Sequence, residues 1–365
     1  TSSRVSGSEI ISSNSKTSYN GNYGLNASWT LYNGNKRLKT IQQEKLNNQV
    51  AELDVATSEN NIQESIAQVY IQILYAAESV KVNESTLQVS IAQRDRGQEL
   101  LNAGSIAKSD FAQLEAQVST DRYQLVTAQA TLEDYKLQLK QLLELDGENE
   151  MNIYLPALSD ENVLAPLPTK KDVYISALSL RPEIEASKLN VEASELGIGI
   201  AKSSYLPTIS LSAGIGTNHT SGSDFTFGEQ VKNGWNNSIG LSVSVPIFNN
   251  RQTKSAVQKA KLQYETSMLS LLDEQKTLYK TIEGLWLDAN SAQQRYAAAN
   301  EKLKSTQISY ELISEQFNLG MKNTIELLTE KNNLLQAQQE QLQAKYMAIL
   351  NTQLLKFYQG DQLAI

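Results

Sequence analysis

Few side chains in this sequence could carry out chemistry. Its 365 residues include one histidine, His219, and no cysteine, which excludes disulfides, thiol nucleophiles and thiolate metal sites. His219 lies in a Thr-, Ser-, Gly- and Asn-rich stretch that offers no partner for a metal site or a histidine base. We predict an ordinary surface histidine with no role in metal binding or catalysis. No phosphate-binding loop or nucleophile–base pair is present, so we predict a protein that is not an enzyme and needs no metal or cofactor.

Charge and hydropathy exclude two further classes. The formal net charge is −8, which argues against a nucleic-acid-binding surface. The mean hydropathy is −0.38, and no window approaches the roughly 20 apolar residues that a transmembrane helix needs. The average composition is that of a water-soluble protein.

Two long spans of the chain have the composition of helices. The prolines all fall between positions 156 and 246, and the flanking spans are rich in Gln, Glu, Lys, Ala and Leu. Apolar residues recur there at three- and four-residue spacing, as at Leu114, Val118, Leu125 and Leu132. We predict amphipathic helices with coiled-coil-like packing. The first, from about Asn35 to Asn102, would be about 100 Å long at ~1.5 Å per residue.

The sequence also repeats itself at a spacing of 216 residues. Without a gap, this shift places Gly24-Leu25 on Gly240-Leu241 and Leu101-Asn102-Ala103-Gly104 on Phe317-Asn318-Leu319-Gly320. Each copy is predicted to run strand, long helix, glycine break, second helix. We expect left-handed glycines at the breaks, with Ser109-Asp110 and Asn323-Thr324 capping the returning helices.

Three segments alternate between apolar and small polar residues. They are Tyr19–Asn35, Leu206–Gly216 and Asn237–Phe248, the last two being joined by a Gly/Ser/Asn loop. Alternation predicts strands with one apolar face. That face includes Tyr23, Leu25, Trp29, Ile209, Leu211, Leu241, Val243 and Val245, with Leu31 and Ile247 in the same phase.

These strands fit either an ordinary soluble sheet or a membrane β-barrel. We favour the barrel because the polar faces carry no charge, aromatic residues cluster at the strand ends, and the loops away from the helices are hydrophilic. Four strands cannot close a barrel, and an open edge in lipid is forbidden. The chain is therefore expected to oligomerise, and three copies would give twelve strands.

The repeat also predicts the organisation of the chain. Residues 1–18 are expected to be a hairpin loop, and the helix and partner strand of the first copy would precede Thr1. A helix is predicted to open at Arg181-Pro182-Glu183. The predicted segments are a loop and barrel strand (1–32), a helical hairpin (33–145), an irregular linker (146–180), a helix (181–204), a barrel hairpin (205–248), a second helical hairpin (249–358) and a tail (359–365).

Taken in order, several of these features resemble the TolC family of outer-membrane efflux and secretion channels. Leu31-Tyr32-Asn33-Gly34 and Pro246-Ile247-Phe248-Asn249 are similar to the family's strand-to-helix junctions, although Thr30 stands where proline is usual. The junction residues are Asn33, Gly34, Pro246 and Asn249. Arg181-Pro182-Glu183-Ile184, Leu206-Pro207-Thr208-Ile209 and the paired glycine breaks match further family features.

The resemblance implies a mainly α protein with a membrane β-barrel portion. Each protomer would give four strands, three of them in this chain, to a trimeric twelve-stranded barrel in the outer membrane of a Gram-negative bacterium. A long α-helical barrel would lie in the periplasm, girdled by an equatorial region that includes residues 146–180. The loop before the first barrel strand would be extracellular. The protein would be a passive exit duct for a tripartite efflux pump or a type I secretion system, with an inner-membrane pump of the RND or ABC type. A periplasmic adaptor would dock at the helical tips, at Gly104, Ser105, Gly320 and Met321.

The resemblance also implies a constriction at the tips, formed by Glu326, Asp110, Lys322 and Phe317. Glu326 stands where the family more often has aspartate, the second acidic position holds Thr329, and Phe317 lacks a hydroxyl. A ring of three Glu326 carboxylates would favour cations, and crowding would raise their pKa. Glu326→Gln is therefore predicted to reduce cation selectivity. The alternative is an ordinary helix carboxylate near a helix N-terminus.

Two other functions fit parts of the sequence. A helical pore-forming toxin would explain the helices and the soluble composition but not the repeat. A soluble coiled-coil envelope adaptor would need a lipoyl-like β domain between its helices, and the sequence has none.

Overall fold

The computed structural model describes residues 3–6, 9–12, 19–145, 153–154, 156 and 163–363. Within them the chain is mainly helical, with a smaller antiparallel sheet, as predicted. The strands are β1 (Ser3–Ser6), β2 (Glu9–Ser12), β3 (Asn20–Asn33), β4 (Thr208–Thr220) and β5 (Asn236–Ser244). The helices are α1 (Lys36–Asn102), α2 (Lys108–Leu142), α3 (Lys170–Leu180), α4 (Pro182–Ser203), α5 (Phe227–Asn233), α6 (Gln252–Asn318) and α7 (Thr324–Gln359).

The chain divides into two compact units. One contains residues 1–48 and 189–269, and the other contains residues 49–188 and 270–365. Among the described residues, no helix carries an apolar run long enough to cross a bilayer.

The first unit contains a three-stranded antiparallel sheet in the order β3-β4-β5. Leu25 lies opposite Ile215, Trp29 opposite Leu211, and Leu211 opposite Leu241. Since directly opposite residues project from the same face, the predicted apolar face is continuous across the three strands. Its other face carries the small polar residues, such as Ser28, Ser212 and Gly240.

Two details of the strand predictions are wrong. The register shifts between Thr30 and Tyr32, so Leu31 is an extra residue and Tyr32, opposite Ile209, takes the apolar phase predicted for Leu31. Such a bulge bends a strand. Strand β5 ends at Ser244, so Val245 and Ile247 lie beyond it. Pro246 has no N–H to donate to the ladder, which is consistent with this early end.

Two segments expected to be irregular contain regular structure. β1 and β2 pair antiparallel inside the expected 1–18 loop, whose other residues lie outside the described part. Helix α3 occupies residues 170–180 of the expected irregular linker, where the Thr169 hydroxyl accepts a hydrogen bond from the Asp172 N–H (3.2 Å), a typical N-cap. Most of the linker before residue 163 lies outside the described residues.

The helices confirm the 216-residue repeat. α1 and α6 each contain 67 residues, and they begin 216 positions apart, at Lys36 and Gln252. The left-handed backbone positions recur at the same distance. They pair as Gly34 with Asn250, Asn35 with Arg251, Gly104 with Gly320, and Glu144 with Gly360.

Two buried apolar clusters lie in the described part of the second unit. One is built around Ile71, Leu74, Tyr296 and Leu354. The other packs α3 against α6 and α7 through residues such as Val173, Ile184, Ile282 and Leu355. The Trp286 indole N–H donates to the Pro168 carbonyl (3.0 Å), and the Gln293 amide donates to the carbonyls of Val163 and Ala165. These bonds hold the segment before α3 on α6.

Candidate functional site

The strand-to-helix junction after β3 requires glycine. Gly34 has a φ of 68°, and a Cβ at this position would lie 2.7 Å from the Ser203 carbonyl oxygen and 2.9 Å from the Leu206 Cβ. Next to it, the Asn33 side chain accepts a hydrogen bond from the Arg37 N–H (3.2 Å) at the start of α1. Of the predicted junction residues, Asn33 and Gly34 therefore have clear structural roles.

The second junction has the same backbone without glycine. Asn250 and Arg251 have φ values of 50° and 63°. Asn249 again supports the helix start, because its side-chain amide donates to the Thr253 hydroxyl. Asparagine tolerates the left-handed region better than most residues, which explains the glycine-to-asparagine change at this position.

The two glycine breaks have the same hydrogen-bonded geometry. At the first, Gly104 N–H donates to Leu101 O (3.0 Å) and Ser105 N–H donates to Leu100 O (2.8 Å). At the second, the Gly320 and Met321 N–H groups repeat these two bonds. This is a Schellman motif, whose penultimate residue is left-handed. A Cβ at either glycine would touch nothing within 4 Å, so the backbone angle alone favours glycine.

The two tips differ in their exposed side chains. The second carries Leu319 and Met321, which are 75% and 71% exposed, and Ile325 is also exposed. The matching positions in the first tip are Ala103, Ser105 and Ser109. The apolar surface at the tips is therefore concentrated on the second repeat. Gly104 and Ser105 are exposed but offer mainly backbone groups.

Glu326 lies at the start of α7 in a capping box. Its N–H donates to the Asn323 side chain (2.9 Å), and its carboxylate accepts from the Asn323 N–H (3.1 Å). The other carboxylate oxygen lies 2.5 Å from Lys322 Nζ. The hydrogen bond from Lys322, and then that from Asn323, hold the pKa of Glu326 below its ordinary value. Within one protomer the pKa of Glu326 is thus lowered, whereas crowding of three carboxylates in a ring was expected to raise it.

Two of the four predicted constriction residues are joined by a direct contact. Lys322 pairs with Glu326, whereas Asp110 accepts a hydrogen bond from the Ala107 N–H (3.3 Å) at the other tip. Ala107, rather than Ser109 or Asp110, is the N-cap residue of α2. Phe317 is buried, so in one protomer its ring belongs to the core of the tip.

A buried polar cluster was not predicted from the sequence. Lys331 of α7 donates to Asp121 of α2 and to the Ser90 hydroxyl of α1, and Ser90 also donates to Asp121. The Gln117 amide donates to the second Asp121 oxygen (2.9 Å). Burial lowers the pKa of Lys331, and Asp121 opposes this effect. The sequence carries no signal for this cluster, since a lone Lys or Asp on an amphipathic helix is usually solvated.

The Arg-Pro-Glu motif forms a second buried cluster. Arg181 lies 3.1 Å from Glu64 and 2.8 Å from Glu183, and its guanidinium lies 4.1 Å from the centre of the Tyr358 ring. Burial alone would lower the pKa of Arg181, but the bond to Glu183 and the surrounding charges raise it. Burial, and then the Glu64 charge, raise the pKa of Tyr358 to about 12. Pro182 is the first residue of α4, where its missing N–H costs no hydrogen bond.

Comparisons with known proteins agree on one family. The family model described as outer membrane efflux protein matches residues 1–144 and 173–360. The chain is 24% identical over 294 residues to the outer membrane efflux protein BepC of Brucella suis, covering 80% of this chain and 61% of that protein. It is 23% identical over 311 residues to the outer membrane protein TolC of Escherichia coli, covering 83% and 62%. The chain thus spans about three fifths of the length of these relatives.

Solved structures share the fold. The crystal structure of CusC gives a TM-score of 0.81 at 19% identity, covering 96% of this chain and 80% of that one. The outer-membrane channel OprN gives 0.77 at 18% identity, covering 95% and 81%.

Proposed function

The chain belongs to the outer membrane efflux protein family, and from this premise we propose that it is a homotrimeric, passive exit duct. It is an outer-membrane channel protein with its helical part in the periplasm. The duct would serve a tripartite efflux pump or a type I secretion system. Neither the pore-forming toxin nor the soluble adaptor has support in a chain of this family.

The observation that carries the proposal is the exposed apolar face of the β3-β4-β5 sheet. Leu25, Ile239 and Leu241 are 71%, 84% and 66% exposed, although they belong to one continuous face. A contiguous apolar surface of this kind marks an interaction with lipid or protein. The polar face carries Asn, Ser, Thr and Gly without a charged side chain on the described strand positions, which suits the water-filled side of a barrel.

The free edges of this sheet support assembly from several copies. β3 and β5 each pair with β4 alone among the described strands of the sheet. Unpaired backbone groups cannot remain at an edge in lipid. Strands of further copies would satisfy them, and four strands from each of three copies would close a barrel of twelve.

The helical tips are the proposed docking surface for a periplasmic adaptor, which would connect the duct to an RND- or ABC-type pump in the inner membrane. Leu319 and Met321 supply exposed apolar side chains, and Gly104 and Ser105 supply accessible backbone. The names of two relatives, the Toxin and drug export protein A of Aggregatibacter actinomycetemcomitans and the Alkaline protease secretion protein AprF of Pseudomonas aeruginosa, describe export and secretion. These names support an export role here. No nucleic acid or cofactor is part of the proposal.

At the same tips, Glu326 and Lys322 are proposed to line the narrowest part of the duct, with Asp110 nearby and Phe317 supporting the wall. Three copies of the Lys322–Glu326 pair would place both signs of charge around the axis. The carboxylates would favour cations, and the lysines would reduce that preference.

The test is a single-channel recording of the full-length protein, purified in detergent and added to a planar bilayer. The proposal predicts small, long-lived current steps that favour cations, from a protein that crosslinks as a trimer. A protein that stays monomeric and soluble without detergent, and gives no current, would contradict it.

A further inference from the structure

The loop between β4 and β5 contains the short helix α5, where the sequence predicted only a Gly/Ser/Asn loop. The Thr226 hydroxyl accepts a hydrogen bond from the Glu229 N–H (3.4 Å), and the Glu229 carboxylate accepts one from the Thr226 N–H (2.9 Å). This capping box fixes the start of the helix. The hydrogen bonds to Thr226 also lower the pKa of Glu229.

Helix α5 packs on the apolar face of the sheet. Phe227 makes edge-to-face contacts with His219 and Tyr23, with ring centroids 5.0 Å and 6.2 Å apart. The Thr217 hydroxyl donates to the Val231 carbonyl (2.9 Å). In the ladder, Tyr23 lies opposite Thr217 and Gly21 opposite His219, so these side chains share the face of Leu25 and Trp29.

His219 is therefore not the isolated loop histidine that the sequence suggested. It lies in strand β4, half-buried against Phe227. Phe227 therefore anchors α5 both to His219 of the central strand β4 and to Tyr23 of β3.

The outer surface of this loop is unusually aromatic. Phe225, Phe227 and Trp235 remain more than half exposed, as does Tyr19 at the start of β3. Lys232 and Glu229 are also exposed. Tyr and Trp concentrate where a membrane meets water, and outer-membrane barrels carry aromatic residues at that boundary.

We propose that α5 and its flanking residues lie at the membrane–water interface, where Phe225, Trp235 and the exposed part of the Phe227 ring contact lipid of the outer leaflet at the boundary between acyl chains and headgroups. This inference rests on the proposed function, because it requires the sheet to be part of a membrane barrel. The argument for lipid is continuity. The exposed aromatic side chains of this loop extend the apolar face that includes Leu25 and Trp29, and that face is the one a closed barrel turns to the bilayer.

The chain contains the probes needed for a test. Its tryptophans are Trp29, Trp235 and Trp286. Single-tryptophan variants of the full-length protein would retain Trp29 alone, retain Trp235 alone, or replace all three by Phe and introduce Phe227→Trp or Lys232→Trp. Each trimer would be reconstituted into vesicles of ordinary lipid or of lipid brominated near the headgroup end of its chains, and its quenching compared with that by aqueous iodide.

The proposal predicts that brominated lipid quenches the tryptophan at 227 and Trp235, and that iodide quenches them weakly. The tryptophan at 232 should respond more to iodide. If 227 and 235 respond only to iodide while brominated lipid still quenches Trp29, α5 lies in water and the inference is overturned, but the barrel stands. If Trp29 is also untouched by brominated lipid, the proposed function fails and this inference fails with it. Trp235 is native, so its result does not depend on how well a substitution in α5 folds.

Discussion

Lys331 of α7 forms a buried ion pair with Asp121 of α2. The two side chains are 3% and 1% exposed, and Ser90 of α1 donates to the same carboxylate. The pair thus links the second repeat to both helices of the first within the helical unit. A buried charge is costly to leave unpaired. The Lys331–Asp121 pair therefore strongly constrains the relative positions of α2 and α7 where these two side chains meet.

Lys331→Met should destabilise the helical unit by about 3–5 kcal/mol, because Asp121 would be left buried without its counter-charge. The double variant Lys331→Met with Asp121→Leu should recover most of the loss. The measurement is chemical denaturation in detergent, followed by the helical circular dichroism signal. Lys302→Met is the matched control. It removes the half-exposed Lys302–Glu340 pair, and it should cost at most about 1 kcal/mol. Equal losses in both single variants would contradict the prediction.

Arg181→Leu should also cost about 3–5 kcal/mol, since Glu64 and Glu183 would lose their shared partner. Arg181→Lys should recover only part of the loss, because an ammonium cannot reproduce the fork that reaches both carboxylates. The same denaturation assay applies. Lys188→Met, which removes an exposed pair with Glu185, should change the unfolding free energy little. An Arg181→Leu variant with the unfolding free energy of the wild type would contradict this stabilising role of the motif.

Glu144→Gly should stabilise the chain. Glu144 and Gly360 occupy the same left-handed position of a Schellman motif, with φ values of 51° and 108°, and a side chain at such a position costs about 1 kcal/mol or more. Gly360→Ala should do the reverse and lose more, because a φ of 108° lies outside the left-handed region that a residue with a side chain can adopt. Thermal unfolding of the two variants measures both effects. A lower melting temperature for Glu144→Gly would refute this account of the helix end.

Glu326→Gln should reduce the cation preference of the closed channel, whereas Lys322→Gln should increase it. The first change removes the carboxylate, and the second leaves it without the ammonium that lies 2.5 Å away. Reversal potentials in a salt gradient measure both. If neither variant shifts the reversal potential, the constriction lies elsewhere.

The pH dependence of that selectivity should depend on Lys322. The folded-state pKa of Glu326 is lowered, first by the hydrogen bond from Lys322. The carboxylate therefore keeps its charge below its ordinary pKa and loses that charge only as the pH falls through the lowered pKa. In the wild type, cation preference should therefore persist below the ordinary pKa of a glutamate. In Lys322→Gln it should fade at a higher pH. A common midpoint in both proteins would show that Lys322 does not set this titration.

The long elements could be predicted from the sequence because each carries a repeated signal. The interval between Asn35 and Asn102 has no proline and has a helical apolar period, and Gly104 follows it. Helix α1 occupies Lys36–Asn102. Strands β3, β4 and β5 were found by alternation, which failed where the bulge at Leu31 changes the phase and beyond Ser244, where β5 ends although the alternation continues.

Short helices and buried polar clusters were missed for different reasons. Helix α5 has a detectable start, Thr226 three residues before Glu229, but the surrounding Gly, Ser and Asn obscured it. The Lys331–Asp121 pair has no local signal, because burial of these side chains depends on how α1, α2 and α7 pack. The pairing of Glu326 with Lys322, four residues away, is a spacing that the sequence displays.

The equal lengths of α1 and α6 limit how this chain can change over time. One inserted residue turns everything after it by about 100° and advances it by about 1.5 Å, which would move Asp121 or Lys331 away from its partner. Seven residues make about two turns and nearly restore the facing of each side chain. Keeping both hairpins matched then requires the same change in each copy. Each hairpin also has an outgoing and a returning helix, so genes for longer or shorter relatives should differ from this one by about seven codons in each of the four helices.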